Sequence, residues 1–260
     1  MDILRLDKLD PIISGNKPLK LAGWLAHFSA SQHRALLSFG GSHSNHLHAL
    51  AQAAKLLAIP VYLVVRGWPN APLTRTLSEC QKMGAQIIFA DKQTYAKRYD
   101  PAFQAELARQ YHALVIPEGG AGEWGEQGCF SLANLAQNYA EVWLAVGSGA
   151  TALGLAKGLG QRLAKTQIVG VNAVADQGER RRLWQEQMPS TVEWRLIDDA
   201  HCGGFAKQNE QTRGLLKKYD ELGLPLDPVY TVKLMLAFER EWPTERSTLL
   251  IHSGGLQGRE

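Results

Sequence analysis

A glycine-rich turn over residues 147–151 contains groups that could bind an anion. It reads Gly147-Ser148-Gly149-Ala150-Thr151, follows an apolar run typical of a strand and opens an Ala- and Leu-rich stretch typical of a helix. The first N–H groups of a helix lack intrahelical partners and lie at its positive dipole end. Small residues let an anion come close, and Ser148 and Thr151 add hydroxyl donors. The pattern predicts a phosphate site. A tight turn without a ligand is the alternative, since the P-loop lysine and the full GxGxxG spacing are absent.

A second turn has the same layout of strand, glycine pair, polar turn and helix. It reads Phe39-Gly40-Gly41-Ser42-His43-Ser44-Asn45-His46. Ser44 and Asn45 could each bind a ligand, but either one would also make a good N-cap for the helix that follows. Capping is therefore the alternative role for one of them.

A third segment, Ser14–Lys20, contains two lysines three positions apart. Pro18 is tolerated at the first position of a helix, which places Lys17 at or just before a helix start. Lys17 and Lys20 would then lie near each other on one side. Taken alone the segment could be a surface turn, and it gains meaning only beside the other two.

The elements that must position these residues follow from the alternation of apolar runs. The expected strands are 35–39, 61–66, 86–90, 113–117, 142–146, 167–171, 192–197 and 248–252. The expected helices include 44–57, 102–110, 150–165 and 208–222. Strands rich in Val, Ile and Leu that alternate with helices predict an α/β fold with parallel sheets covered on both faces. The run 118–125 breaks the alternation and is expected to be a long loop.

Composition excludes several classes of function. The 260 residues carry 28 basic and 25 acidic side chains, and a net charge of +3 does not indicate a nucleic-acid binder. Three scattered cysteines without a CxxC pair favour a reducing compartment. His43, His46 and His48 do not share one helix face and no HExxH pattern follows, so we expect no metal. No apolar run is long enough for a signal peptide or a membrane span, so we expect a cytoplasmic protein without membrane partners.

These motifs occur in the order found in a known family. Gly15-Asn16-Lys17 with Lys20, Gly40-Gly41 with Ser44-Asn45, the turn at 147–151 and Asp227-Pro228-Val229-Tyr230-Thr231 together resemble the 1-aminocyclopropane-1-carboxylate (ACC) deaminase and D-cysteine desulfhydrase family. The resemblance covers nearly the whole chain, up to His252-Ser253-Gly254-Gly255. It implies pyridoxal 5'-phosphate as the cofactor and the two-lobed, tryptophan synthase β-subunit-like fold called fold type II. We expect a large cofactor lobe of residues 1–28 with 116–260, a small α/β lobe of residues 29–115, and a homodimer.

The resemblance also assigns residues to the cofactor. Lys17 would carry the cofactor aldehyde as a Schiff base, and its amine would have to be neutral, which burial and the nearby Lys20 favour. Lys20 and the turn Gly147–Thr151 would hold the phosphate. Asn45 would bind the ring hydroxyl, and Thr231 would meet the ring nitrogen. A helix-surface threonine is the alternative for Thr231.

Further residues would act on a small amino-acid substrate. Ser44 would bind the carboxylate or relay a proton, Tyr230 would be an acid, a base or an orienting hydroxyl, and Lys17 would shuttle protons at the α-carbon. A hydroxyl at Thr231 supports a protonated ring nitrogen less than a carboxylate would. The cofactor would then be a weaker electron sink, which favours β-elimination over ring opening.

The sequence departs from the family at three places. Deaminase members have a second active-site tyrosine, whereas the matching position here is Phe205, which cannot transfer a proton. Pro18-Leu19 stands where relatives usually have an arginine before the second lysine. The strand and loop that precede the lysine in relatives are expected to be mostly missing.

Three functions remain open from the sequence. The favoured one is β-elimination of the D-cysteine desulfhydrase type, giving pyruvate, ammonia and sulfide. The second is ACC deamination to 2-oxobutanoate and ammonia, which Phe205 argues against. The third is a protein that holds the cofactor without turnover. A nicotinamide-dependent oxidoreductase is disfavoured because GxGxxG with a following acidic residue is absent.

Overall fold

The computed structural model describes residues 1–242 and 245–259. Its strands, in chain order, are β1 (Asp2–Arg5), β2 (Ala35–Gly40), β3 (Val61–Arg66), β4 (Gln86–Ala90), β5 (Ala113–Ile116), β6 (Glu141–Val146), β7 (Gln167–Asn172), β8 (Trp194–Ile197) and β9 (Thr248–His252). The strands pair in parallel, as the alternation of strand and helix predicts.

The helices of the described residues lie between these strands. They are α1 (Lys17–Ser29), α2 (Asn45–Leu56), α3 (Arg75–Lys82), α4 (Lys92–Ala96), α5 (Pro101–Tyr111), α6 (Glu123–Gly128), α7 (Leu132–Ala136), α8 (Ala150–Gln161), α9 (Glu179–Gln187), α10 (Glu210–Glu221) and α11 (Thr231–Glu241). Within the described ranges, no helix is both long and apolar enough to cross a membrane.

Internal contacts divide the chain into two units. The first unit contains residues 1–16 and 126–260, and the second contains residues 17–125. The small lobe expected over 29–115 lies inside the second unit, which also contains α1 and residues 116–125.

The first unit is built on a parallel sheet. In the described residues this sheet has five strands in the order β1-β9-β6-β7-β8. Its core includes Trp143 of β6, whose ring meets Phe238 of α11 edge-on at 5.2 Å between centroids. The strand order reverses at β6, with β7 and β8 on one side and β9 on the other. Ligands of open α/β sheets bind at the carboxyl ends of the strands beside such a reversal. The turn after β6 and residues 253–255 after β9 both lie there.

The second unit is built on a smaller parallel sheet. Its order among the described residues is β4-β3-β2-β5. Phe39 and Leu37 of β2 are fully buried, and Tyr95 and Leu107 pack against the same cluster from α4 and α5. The neighbouring parallel strands β2 and β5 end at Gly40 and Ile116, which brings the turns that follow them to the same end of the sheet.

Two sequence-based expectations about local structure were wrong. Residues 118–125 are not a long loop, because Glu118–Gly120 form a 3₁₀ turn and α6 begins at Glu123. The N-terminal strand is not missing either, since Asp2–Arg5 pair with Leu249–His252. Both elements are short, and their apolar pattern is too brief to be recognised.

Candidate functional site

The turn after β6 leads directly into the N-terminus of α8. Gly149 lies in the left-handed region, with φ +91°, and is the N-cap residue of α8. Because a glycine caps the helix, no side chain competes with a ligand for the first N–H groups. The Arg180 guanidinium of α9 donates to the Ser148 carbonyl at 2.9 Å and brings positive charge beside the turn. The geometry is that of an anion-binding helix start.

Asn16 is joined to this turn. Its side-chain amide donates to Thr151 Oγ1 at 2.8 Å, and its backbone N–H donates to the Ser253 carbonyl at 3.0 Å. A side chain on Gly15 would place Cβ 2.5 Å from the same carbonyl oxygen, so this approach requires glycine. Thr151 accepts from Asn16 and keeps its own hydroxyl hydrogen available for donation. Asn16 immediately precedes Lys17, the first residue of α1.

The start of α11 lies against the same turn. The ring of Tyr230 is so close to Gly147 that a Cβ there would come within 2.7 Å of Tyr230 Cε1. Tyr230 is half-buried, whereas Thr231 is fully buried. The residues predicted at 147–151, 230 and 231 are therefore brought together within the first unit.

Asp227 is a residue of this cluster to which the sequence analysis gave no role. Its buried carboxylate accepts from the backbone N–H groups of Val229, Tyr230 and Thr231 at 3.0, 2.7 and 2.7 Å. It also accepts from the Thr231 hydroxyl. Gly254 has to be glycine because a Cβ there would lie 1.7 Å from Asp227 Oδ2. An acidic residue just ahead of an apolar helix was the signal that could have identified this cap.

Phe205 faces the same cluster. Its ring meets that of Tyr230 edge-on at 6.2 Å between centroids, and its side chain is 61% exposed. The position predicted to lack a second tyrosine hydroxyl thus lies directly beside Tyr230.

The second unit contains the lysines and the polar turn after β2. Lys20 is buried, and its Nζ donates to the Gly119 carbonyl at 3.0 Å. His46 of α2 lies close by, since a Cβ on Gly120 would be 3.3 Å from His46 Cε1 and 3.6 Å from Lys20 Cβ. Burial, together with the charges of Lys17 and Lys20, lowers the pKa of His46 to about 3. His46 is therefore neutral at physiological pH.

The tautomer of His46 follows from its neighbour. The Ser38 hydroxyl donates to the Ile116 carbonyl at 2.7 Å, so it can only accept from His46 Nε2, 2.9 Å away. His46 Nδ1 is then an acceptor, and among the described residues this buried atom has no hydrogen-bond partner. The other nearby histidine, His48, is paired instead with Glu79 at 2.9 Å.

Ser44 is the N-cap of α2. Its Oγ accepts from the Leu47 N–H at 3.2 Å, so the capping role holds for this residue. Capping uses an oxygen lone pair and leaves the hydroxyl hydrogen available to a ligand. Asn45 is the first residue of α2 and half-buried. Lys17, Lys20, Ser44 and Asn45 thus all belong to the second unit, separately from the cluster around the glycine turn.

Comparison with known proteins establishes the family. The family model for pyridoxal-phosphate dependent enzymes matches residues 3–254. This chain belongs to that family, is a pyridoxal-phosphate-dependent enzyme, and uses pyridoxal phosphate as its cofactor.

Individual relatives show which members of the family the chain resembles. A protein of Thermotoga maritima provisionally named 1-aminocyclopropane-1-carboxylate deaminase is 28% identical, covering 98% of this chain and 88% of that protein. D-cysteine desulfhydrase of Klebsiella pneumoniae is 27% identical, covering 97% and 86%. The crystal structure of an ACC deaminase homologue has a TM-score of 0.82 at 25% identity, covering 98% and 84%. Within its family the chain is thus similar to lyases of the ACC deaminase and D-cysteine desulfhydrase type.

The solved structures also confirm the predicted fold. Maize serine racemase aligns with a TM-score of 0.67 at 16% identity, over 94% of this chain and 80% of that one, which shows a shared fold alone. The α/β class, the parallel sheets and fold type II are therefore confirmed.

The residues of the glycine turn suit the phosphate of this cofactor. Because of the crowding at Gly147 and the positive φ of Gly149, these two positions favour glycine and bring no side chain of their own to the start of α8. Trp184 Nε1 lies 3.8 Å from the position a Cβ of Gly149 would take, and this buried donor has no partner in the described part of the chain. Arg180 adds a positive charge behind the turn. An anion is the ligand that this combination of donors and dipole favours.

Proposed function

We propose that this enzyme catalyses β-elimination on a small amino acid that carries a leaving group on its β-carbon, with D-cysteine as the first substrate to test. The observation that carries the proposal is the contact between Phe205 and Tyr230 at 6.2 Å. This pair offers one phenol hydroxyl, whereas the deaminases that the chain resembles have two tyrosines there. Elimination of a thiolate needs less acid assistance than the opening of a carbon ring, because a thiolate is a stable leaving group.

We assign the cofactor to named residues. Lys17 supplies the amine that holds the aldehyde, and Lys20 and the turn Gly147–Thr151 bind the phosphate. The position of Asn16 supports this assignment, because Asn16 is hydrogen-bonded to Thr151 of the turn and Lys17 is the next residue in the chain. Asn45 binds the ring hydroxyl. When bound, pyridoxal phosphate supplies an electron sink for the bonds at the substrate α-carbon.

Thr231 is assigned to the ring nitrogen of the cofactor. Its hydroxyl hydrogen is directed to Asp227, so its oxygen can only accept towards a further partner. A neutral oxygen stabilises a protonated ring nitrogen less than a carboxylate does. The arrangement supports a reaction in which the leaving group takes up the electrons promptly.

The protein groups then act on the substrate in sequence. Ser44 binds the substrate carboxylate, Tyr230 orients the substrate, and the neutral amine of Lys17 takes the α-proton. The bond between the β-carbon and sulfur breaks, and its electron pair leaves with the sulfur as hydrosulfide, HS⁻. The enamine that is released takes up water and gives pyruvate and ammonia. One D-cysteine and one water therefore yield pyruvate, ammonia and hydrogen sulfide.

A spectrophotometric screen tests the proposal. The cofactor-loaded protein is mixed with D- and L-cysteine, D- and L-serine and ACC, and both the cofactor absorbance and the keto acid formed are recorded. We expect D-cysteine to shift the absorbance and to release sulfide and pyruvate. Lys17→Ala abolishes both signals, while Lys8→Ala, which changes an exposed lysine of the same terminal region, leaves them unchanged. A wild-type protein that binds no cofactor would contradict the whole assignment.

ACC deamination is the second candidate. The Thermotoga maritima relative carries that name, and Tyr230 supplies one of the two phenols. Release of 2-oxobutanoate from ACC without sulfide from D-cysteine would favour it over elimination. A cofactor spectrum that no amino acid perturbs would instead favour a protein that holds pyridoxal phosphate without turnover.

A homodimer belongs to the same proposal, and its only support is the resemblance to the family. Light scattering of the cofactor-loaded protein tests it. We expect a mass of twice 28.6 kDa, and a monomer would contradict the expectation.

A further inference from the structure

Lys233 of α11 is a fully buried lysine that the reaction described above does not use. Its side chain is shielded from solvent, and its Nζ donates to the carbonyls of Ala173 and Gly204 at 2.7 Å each. Burial lowers the pKa of Lys233, an effect that the nearby Cys202 and Asp227 oppose. Burying an amine without partners would cost free energy, and the two hydrogen bonds offset that cost. They also fix the two carbonyls relative to α11.

The carbonyl of Gly204 belongs to a loop with an unfavourable backbone. Four residues of this loop have positive φ: Cys202 (56°), Gly203 (90°), Gly204 (142°) and Ala206 (56°). Cysteine and alanine rarely adopt such angles, so the loop requires external ties. Local ties come from His201, whose ring Nδ1 accepts from the Gly203 N–H at 3.0 Å. Lys233 connects the loop to the body of the first unit.

Phe205 follows Gly204 in this loop. Its ring is 61% exposed and touches Tyr230, three positions before Lys233 on the chain. This exposed ring therefore lies beside a residue that we assign to the substrate site. The conformation fixed at Gly204 decides where this ring lies, because the two residues are adjacent.

We propose that Lys233 is a positioning residue that holds the loop 201–207 in place and thereby makes Phe205 a wall of the substrate site that selects for side-chain size. The role of Phe205 rests on the proposed function, whereas the tie between Lys233 and the loop does not. Loss of the tie frees the loop and removes the ring from the substrate, while the cofactor site at residues 147–151 keeps its own contacts.

Limited trypsin digestion tests the tie without any activity. Lys207 ends the loop and is exposed, so cleavage after it reports loop opening. We expect Lys233→Met to accelerate this cleavage about tenfold, the effect of losing hydrogen bonds to two buried carbonyls. Lys218→Met is the matched control, because Lys218 is exposed and pairs with Glu239 on the surface. Equal cleavage rates in wild type and Lys233→Met overturn the proposal.

A second variant distinguishes loss of the contact between Lys233 and the loop from a general loss of folding. Lys233→Ala leaves space that propylammonium can enter, and we expect this cation to restore slow cleavage after Lys207. Tetramethylammonium, which has no N–H donor, should not restore it. Failure of the alanine variant to fold even with propylammonium also overturns the proposal, because Lys233 would then serve the core and not the loop.

The substrate part is tested by a double-mutant cycle in the holoenzyme. We expect Lys233→Met to raise KM for the accepted amino acid roughly tenfold with kcat changed by about twofold or less. In a Phe205→Ala background the same substitution should leave KM unchanged, because the wall is already absent. An equal effect of Lys233→Met in both backgrounds refutes the role of Phe205. If no amino acid perturbs the bound cofactor, the proposed function fails, yet the trypsin comparison still decides the tie.

Discussion

The side-chain amide of Asn16 donates to Thr151 Oγ1 across 2.8 Å, although the two residues are 135 positions apart in the sequence. This bond connects the residue before Lys17 with the first turn of α8. It lies within one unit of the protein, so it forms whenever that unit folds.

Asn16→Ala should therefore weaken cofactor binding. We expect about a three- to tenfold higher Kd for pyridoxal phosphate, which corresponds to the usual net contribution of one hydrogen bond. Absorbance titration of the cofactor-free protein measures it. Asn138→Ala, on an exposed turn, is the control and should bind as wild type does. An unchanged Kd in Asn16→Ala would show that the bond does not serve the cofactor site.

Gly147→Ala tests the contact between the turn and Tyr230. The new Cβ would lie 2.7 Å from Tyr230 Cε1, so the ring has to move. We expect a loss of about 1–3 kcal/mol in the free energy of unfolding and a weaker affinity for the cofactor. Because Gly147 does not have a positive φ, the effect is steric and not conformational.

Gly214→Ala is the matched control for that experiment. Gly214 is exposed within α10, and a Cβ there meets nothing within 4 Å. This substitution should stabilise the protein by about 0.5–1 kcal/mol, since alanine costs less backbone entropy in a helix. Urea unfolding followed by circular dichroism measures both variants, and shifts of the same sign would contradict the assignment.

Phe205→Tyr tests what the missing hydroxyl does. The substitution adds a phenol beside Tyr230 in the arrangement expected of deaminases. We expect ACC turnover to 2-oxobutanoate to rise while sulfide release from D-cysteine falls or stays level. Phe130→Tyr, a change of the same kind in the loop before α7, should alter neither activity. If wild type already opens ACC as fast as Phe205→Tyr, the second phenol is not what separates the two reactions.

His46 makes stability depend on pH. Its pKa of about 3 in the folded protein lies below the usual value of 6.5, so the unfolded chain binds the additional proton as pH falls. The protein should accordingly lose stability below pH 6.5, and His46 should account for about 2 kcal/mol of that loss between pH 7 and pH 5. Urea unfolding at both pH values measures the effect.

His46→Gln removes the titrating group and should reduce that difference by about the same amount. The amide keeps a donor towards Ser38. His43→Gln, at an exposed position three residues before His46, should retain the wild-type pH dependence. An undiminished pH dependence in His46→Gln would assign the loss between pH 7 and pH 5 to other groups.

Several elements could be predicted because their signal is local. The strand expected at 61–66 is observed with those bounds, since three of its six residues are valine and most of the strand is buried. The helix expected at 150–165 ends earlier, at Gln161. Residues 162–166 contain no strong helix-stop signal, so the sequence did not reveal this end. Lys233 is also noticeable in the sequence, as a lysine inside the apolar run Val232–Met235. The hydrogen-bond partners of its side chain could not be inferred from this pattern.

The sequence by itself determined the α/β class, the order of strands and helices, and the motifs that mark a pyridoxal-phosphate enzyme, because these depend on residue type and on neighbours a few positions apart. Only the tertiary structure decided that Asn16 meets Thr151, that Asp227 takes the Thr231 hydroxyl, and that Lys233 reaches Gly204. Contacts such as Asn16 with Thr151 depend on which strands become neighbours in a sheet, and β9 enters between β1 and β6 only when the whole unit has assembled.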